Sequence, residues 1–145
     1  MKLVVERVSS ATCIADGKIT GQISRGLLIL LGAEKDDGRE DVLRLAKKCM
    51  GLRIFEDIGG KMNLSAADIC GEILVISNFT LAANSKRGNR PSFENALPPQ
   101  QAQELYDLFV KTLRELGASK VEAGKFGAHM EIESVKDGPV TILLD

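Results

Sequence analysis

Three short stretches of this chain set polar groups at spacings that could serve a reaction. Ser77-Asn78-Phe79-Thr80 closes a β-branched run, so three polar side chains fall together near the end of a strand. Backbone N–H groups beyond the last ladder rung could hold an oxyanion there. The plainer arrangement has the hydroxyls bonded to neighbouring backbone. Lys86-Arg87-Gly88-Asn89-Arg90 places three cations in a polar loop, suited either to phosphate oxygens or simply to water. Asp137-Gly138-Pro139 precedes the final apolar run. Pro139 fixes φ and removes a donor, which suits a turn or a strand edge; a rigid piece of backbone aimed at a ligand is the alternative.

The familiar catalytic devices find no support. His129 is the sole histidine and has no identifiable nucleophile beside it in sequence, so a Ser-His-Asp or Cys-His arrangement is not indicated and a rim or surface position is expected. A zinc hydrolase needs about three protein ligands, usually rich in histidine. No Gly-x-x-x-x-Gly-Lys-Ser/Thr phosphate loop is present. Cys13, Cys49 and Cys70 are widely spaced without a Cys-x-x-Cys pair and read as small buried hydrophobes. Glu34, Asp36 and Asp37 read as a solvated loop and helix cap. Neither metal nor cofactor is expected.

The whole chain bounds the possibilities further. Its 145 residues suit one domain. A net charge of −1 argues against a protein that grips long nucleic acid, but leaves room for local contact with an RNA end. The longest apolar run, residues 26–33, falls far short of the ~20 residues a membrane helix needs. Met1-Lys2-Leu3-Val4-Val5 leads directly into a strand pattern without a signal-peptide layout, so a cytoplasmic protein with no membrane association is expected.

Several elements must position these groups. Residues 3–8 read as a strand, and 12–16 with 18–23 as a hairpin around Asp16-Gly17. The continuous apolar run at 26–33 suggests a strand covered on both faces. Val42, Leu45, Ala46, Cys49 and Met50 mark a helix over 37–50, with Asp37 and Glu40 resembling a capping box and Gly51 stopping it. Strands are expected at 52–55 and 72–81, with a turn at 57–61 between them and a long polar loop over 84–99 after them. Pro99 opens a second helix to about residue 116, with Ala102, Leu105, Tyr106, Phe109, Leu113 and Leu116 as its buried stripe and Gly117 ending it. Two final strands, 130–135 and 140–144, are expected to join across residues 136–139. Many strands with two helices indicate a mixed α/β domain with helices packed on sheet.

Leu74-Val75-Ile76-Ser77-Asn78-Phe79-Thr80-Leu81, then Arg87-Gly88-Asn89-Arg90-Pro91-Ser92-Phe93, then Asp137-Gly138-Pro139-Val140-Thr141 resemble the D-aminoacyl-tRNA deacylases. Glu6-Arg7-Val8, Gly26-Leu27-Leu28-Ile29-Leu30-Leu31-Gly32, Arg53-Ile54-Phe55 and Lys61-Met62-Asn63-Leu64 match as well, in order over essentially the whole chain. The resemblance implies a single α/β domain of layered sheets against two main helices. It also implies a homodimer with active sites at the subunit interface, into which a cis Gly138–Pro139 peptide reaches from the partner. The implied activity is editing: hydrolysis of the ester that joins a D-amino acid, or mischarged glycine, to tRNA, without a cofactor. Ser77, Asn78, Phe79 and Thr80 take the catalytic positions, with the backbone N–H groups of Phe79 and Thr80 implied as the oxyanion donors. Gly138, Pro139, Val140 and Thr141 take those of chiral selection, and Arg7 braces that element or forms a surface ion pair. Phe126 and Met130 either line the terminal adenosine pocket or pack in the core. Lys86, Arg87 and Arg90 either meet acceptor-stem phosphates or form a solvated basic loop.

The family pattern usually has Gln where Asn78 stands and often Asn where Lys136 stands. A neighbouring 2′-hydroxyl on the ribose could assist water, which would account for the lack of a catalytic histidine dyad; a covalent Thr80 is the less favoured route. The rival readings are a non-catalytic nucleic-acid-binding or adaptor protein on the same scaffold and an esterase for small D-aminoacyl esters.

Overall fold

The computed structural model describes residues 1–86 and 88–145; Arg87, one of the three loop cations, lies outside the described residues. Among the described residues, eight strands and two helices follow in the order β1 (Lys2–Ala15), β2 (Lys18–Ile23), β3 (Gly26–Gly32), α1 (Arg39–Gly51), β4 (Phe55–Glu56), β5 (Met62–Leu64), β6 (Glu72–Ser77), α2 (Pro99–Glu115), β7 (Lys120–Ala123) and β8 (Met130–Leu144), with a 3₁₀ turn at Phe79–Ala82. No helix is long and apolar enough to cross a membrane among the described residues.

The main sheet runs β2-β1-β3-β6-β7, and β8 lies against β1. β3–β6 and β6–β7 are parallel, and the connections between them carry α1 and α2, as parallel pairing requires. Both helices pack with one face of the sheet into a large core that includes Leu3, Leu27, Leu45, Phe55 and Phe109. Residues of the opposite parity, such as Val8, Leu28, Leu74 and Ile76, form a second, smaller cluster on the other face. The expectation that β3 is covered on both sides therefore holds. Its first residue must be glycine: a Cβ on Gly26 would lie 1.8 Å from the Glu72 carbonyl oxygen on β6. Lys120 Nζ on β7 donates to the Gln22 carbonyl on β2 at 2.7 Å, drawing the sheet ends toward closure.

The two strands expected at 3–8 and 12–16 are one. Leu3, Val5 and Arg7 face inward, then Val8 does too, and Ala11, Cys13 and Ala15 continue. Arg7 and Val8 point to opposite faces as strand neighbours do, and the alternation reverses just after them, where the two steps from Val8 to Ser10 on β1 match the single step from Lys136 to Val135 on β8, a bulge at Ser9. The reversal moves the inward face of β1 from the large core to the smaller one. The two strands expected after residue 130 are likewise one. Glu6 pairs with Thr141 and Val8 with Lys136, so residues 137–140 stand opposite Arg7 alone and bow out of the ladder. Gly138–Pro139 is thus an outward bulge within a continuous strand, and its peptide bond is cis.

Other expectations are corrected more simply. The strand at 72–81 stops at Ser77 and gives way to the 3₁₀ turn. The strand placed at 52–55 is the two-residue β4, which pairs with β5. α1 starts at Arg39, where the Asp41 carboxylate, not Glu40, reaches back to accept from the Gly38 N–H at 3.1 Å. Asp37 instead accepts from the Glu34 N–H at 2.5 Å. In α2, Val110 and Thr112 are buried and Leu116 is exposed. Cys13 and Cys49 are buried as expected, and burial pushes the Cys49 thiol up to about 12; Cys70 is exposed.

Candidate active site

A cleft of about 960 Å³ opens over the sheet face that the helices leave uncovered. Its floor is apolar, with Leu28, Leu30, Ile76 and Ile132. Ser77 and the turn after β6 form one wall, the 93–99 segment a second, and the loop before β8 with the first half of β8 a third. Of the residues singled out in the sequence, Ser77, Asn78, Phe79, Thr80, Phe126 and Met130 come together here. Gly138 and Pro139 do not line this chain's cleft; both are exposed. Val140 is buried, Thr141 is exposed, and Lys86 and Arg90 stand exposed on the loop after the turn.

The chain reverses from strand to turn at Asn78. The Asn78 N–H still donates to the Leu31 carbonyl on β3 at 2.7 Å. Its side-chain oxygen then accepts from the Thr80 N–H at 3.3 Å and from the Thr80 hydroxyl at 2.5 Å. This is an N-cap in miniature, satisfying a donor that the short turn cannot. Two chemical consequences follow. The Thr80 hydroxyl proton is directed to an amide, which is no base, so nothing in this contact activates the oxygen as a nucleophile. The Thr80 N–H is partly engaged, whereas the Phe79 N–H finds no acceptor among the described residues. A backbone N–H without a protein acceptor, on a residue that lines an apolar cleft, is a group that can meet a developing oxyanion.

His129 does line the cleft, as an exposed rim residue without a hydrogen bond to Ser77 or Thr80. Glu6 and Lys136 also line it and form an ion pair with each other, so Lys136 brings its own counter-charge.

Tyr106, read from sequence only as part of a buried stripe, supports the cleft from behind. Its hydroxyl donates to the Val75 carbonyl at 2.8 Å, and its ring lies 5.8 Å from that of Phe126. The Gly124 N–H donates to the same Val75 carbonyl at 2.9 Å. Tyr106 therefore ties the end of β6 to the segment carrying Phe126. Burial pushes its phenol well above the ordinary tyrosine value, so it stays a neutral donor. Because Val75 keeps a second donor, Tyr106→Phe is expected to lower stability by only about 1 kcal/mol, a drop of about 3 °C in Tm by calorimetry. An unchanged Tm would show that the hydroxyl contributes nothing.

Arg7 is the other buried support, with 4% exposure. Its Nε donates to the Asp137 carbonyl at 2.9 Å and lies 3.2 Å from the Asp137 carboxylate, while Nη1 donates to the Ile54 carbonyl at 2.6 Å. The guanidinium thus fills the gap where residues 137–140 leave the ladder, and it holds the residue immediately before Gly138.

The family described as D-Tyr-tRNA(Tyr) deacylase matches residues 4–145. The chain is 57% identical to a D-aminoacyl-tRNA deacylase of Thermotoga petrophila, over all of this chain and 97% of that protein. It is 52% identical to one of Anaeromyxobacter dehalogenans with the same coverage. Among solved structures, one described as c-Myc DNA Unwinding Element Binding Protein superposes with a TM-score of 0.94 at 39% identity, covering 100% of this chain and 98% of that one. A probable eukaryotic D-amino acid tRNA deacylase shares the fold, with a TM-score of 0.86 at 16% identity, over 99% of this chain and 97% of that one.

Proposed function

The chain belongs to the D-Tyr-tRNA(Tyr) deacylase family, and on that premise we propose that it hydrolyses the ester between a D-amino acid, or mischarged glycine, and the terminal ribose of tRNA. The observation that carries this reading is the unpartnered Phe79 N–H at the edge of an apolar cleft. Water adds through its oxygen to the ester carbonyl carbon, and the Phe79 N–H takes the resulting oxyanion. A water proton passes by way of the ribose 2′-hydroxyl to the departing ribose oxygen as the carbon–oxygen bond breaks. The products are the free amino acid and intact tRNA. The protein supplies position and a dipole; the RNA supplies the proton relay.

Handedness is read by main-chain atoms. In this proposal two copies pair, and the exposed Gly138–Pro139 bulge of one, held from behind by Arg7, closes the cleft of the other. Its carbonyls take the substrate's α-amino group. An L side chain then strikes this wall, a D side chain points to solvent, and glycine has no β-carbon to reject. Phe126 stacks on the terminal adenine beside Met130, and Lys86, Arg87 and Arg90 face acceptor-stem phosphates.

Two experiments test the chemistry. Thr80→Ala is expected to retain kcat within about tenfold in single-turnover hydrolysis of D-tyrosyl-tRNA, since a lost general acid–base or nucleophilic group costs about 100-fold or more. Complete loss in a folded variant would instead assign Thr80 a covalent role. Substrate ending in 2′-deoxyadenosine is expected to react about 100-fold more slowly; equal rates would remove the RNA from the mechanism.

The structural neighbour named for binding a DNA unwinding element brings a second reading, a nucleic-acid-binding protein without turnover. The net charge of −1 disfavours it, because such binding draws on many phosphate contacts. A binding constant that falls steeply with salt, with no ester cleavage, would favour it.

A further inference from the structure

We infer that Phe93 is a positioning residue for ester cleavage, holding Phe79 and therefore the Phe79 N–H in register with the cleft; this deepens the deacylase reading and rests on it. The turn at Phe79–Ala82 has four residues, and its cleft side is open: Phe79 is 58% exposed. On the sheet side it is well fixed. Ala82 is buried, and a Cβ on Gly32 would meet both the Asn78 carbonyl and Leu81 Cβ at 2.8 Å, so the turn sits directly on β3. On the cleft side, the Phe93 ring meets the Phe79 ring edge to face, with centroids 5.1 Å apart and planes at 67°, the geometry aromatic quadrupoles favour.

Phe93 is itself tethered on both sides. Asn84 and Ser92 exchange backbone hydrogen bonds of 2.7 and 2.9 Å just before it. After it, the Ala96 N–H donates to the Phe93 carbonyl, the Lys35 N–H to the Asn95 carbonyl and the Leu97 N–H to the Ala33 carbonyl, each at 3.0 Å. The segment is thus closed on itself just before the aromatic ring and clamped to residues 33–35 of the protein body just after it. That ring bears on the residue whose N–H is free. Rotation of the turn by a few tenths of an ångström would leave substrate binding intact while misdirecting the donor at the moment charge develops, and misplacements of ~1 Å can cost about 100-fold in rate.

The test is steady-state hydrolysis of D-tyrosyl-tRNA by Phe93→Ala, Phe93→Leu and Phe93→Tyr. Phe93→Ala is expected to lower kcat by about 10- to 100-fold with KM changed less than about twofold, the pattern of an interaction felt only in the transition state. Phe93→Tyr keeps the ring and is expected to restore kcat to within about threefold. Should Phe93→Ala fail to fold, Phe93→Leu, which keeps apolar volume without a ring, is read in its place and is expected to show the same loss. Unchanged kcat in the ring-less variant overturns the inference while leaving the deacylase reading intact. So does a raised KM with kcat retained, which would mean that the ring touches substrate. An inert wild-type protein overturns both.

Discussion

Gly138→Ala is expected to lower kcat/KM for D-tyrosyl-tRNA by about 100-fold. Gly138 has φ +143°, a conformation that side-chain-bearing residues rarely adopt. A Cβ there would lie 2.5 Å from the Val140 nitrogen and 2.9 Å from Val140 Cγ2. The nitrogen belongs to the main chain and cannot swing aside, and Val140 is anchored in the large core, so the bulge itself must shift. Under the proposed mechanism that bulge carries the carbonyls that hold the α-amino group, and a displaced wall both loses the substrate and blurs the distinction between hands. Because the bulge is exposed and outside the ladder, the strain of about 1–3 kcal/mol leaves the fold standing. Single-turnover kinetics beside a melting curve separates the two effects. Near-normal activity would mean that this backbone makes no contact with substrate.

Arg7→Met is expected to destabilise the protein by about 3 kcal/mol, or about 10 °C in Tm. The side chain is buried, and three of its interactions go at once: Ile54 carbonyl, Asp137 carbonyl and Asp137 carboxylate. Ile54 is itself buried, so its carbonyl is left without the guanidinium donor and without ready access to water. Arg7→Lys recovers little. An ammonium is a single point charge and cannot reach acceptors on β8 and beside β4 together, as a planar fork does. Denaturant unfolding of the three proteins decides it; a lysine variant as stable as wild type would show that charge alone suffices.

Parts of this architecture were open to reading from residue types. α1 followed from the spacing of Val42, Leu45, Ala46, Cys49 and Met50, all of them buried. The run from Gly26 gave a strand hidden on both faces, and Gly17 beside Asp16, both with positive φ, gave the hairpin between β1 and β2. What escaped reading did so for physical reasons. In β1 the bulge at Ser9 breaks the period of two, and a broken period reads as a break in the strand. In β8, Lys136-Asp137-Gly138-Pro139 has the composition of a turn, yet the ladder to β1 resumes beyond it. β7 buries only Val121 fully among charged neighbours, too little for any periodic signal.

The site shows the same division. The polar group at Ser77-Asn78-Phe79-Thr80 was visible because its members are adjacent in sequence. The turn that frees the Phe79 N–H was not visible, because it depends on where Asn78 sends its side chain. Phe93 stands in the sequence only as the last residue of the matched stretch 87–93; its partnership with Phe79 is a tertiary contact that no local pattern encodes. Tyr106 was legible as core, whereas its hydrogen bond to Val75 on another element was not.

Parallel single-turnover assays on D-tyrosyl-tRNA and L-tyrosyl-tRNA, with equal enzyme and the same tRNA, bear most directly on sorting by main-chain atoms. The D ester is expected to be cleaved at least about 100-fold faster than the L ester. Equal rates on the two would contradict the account.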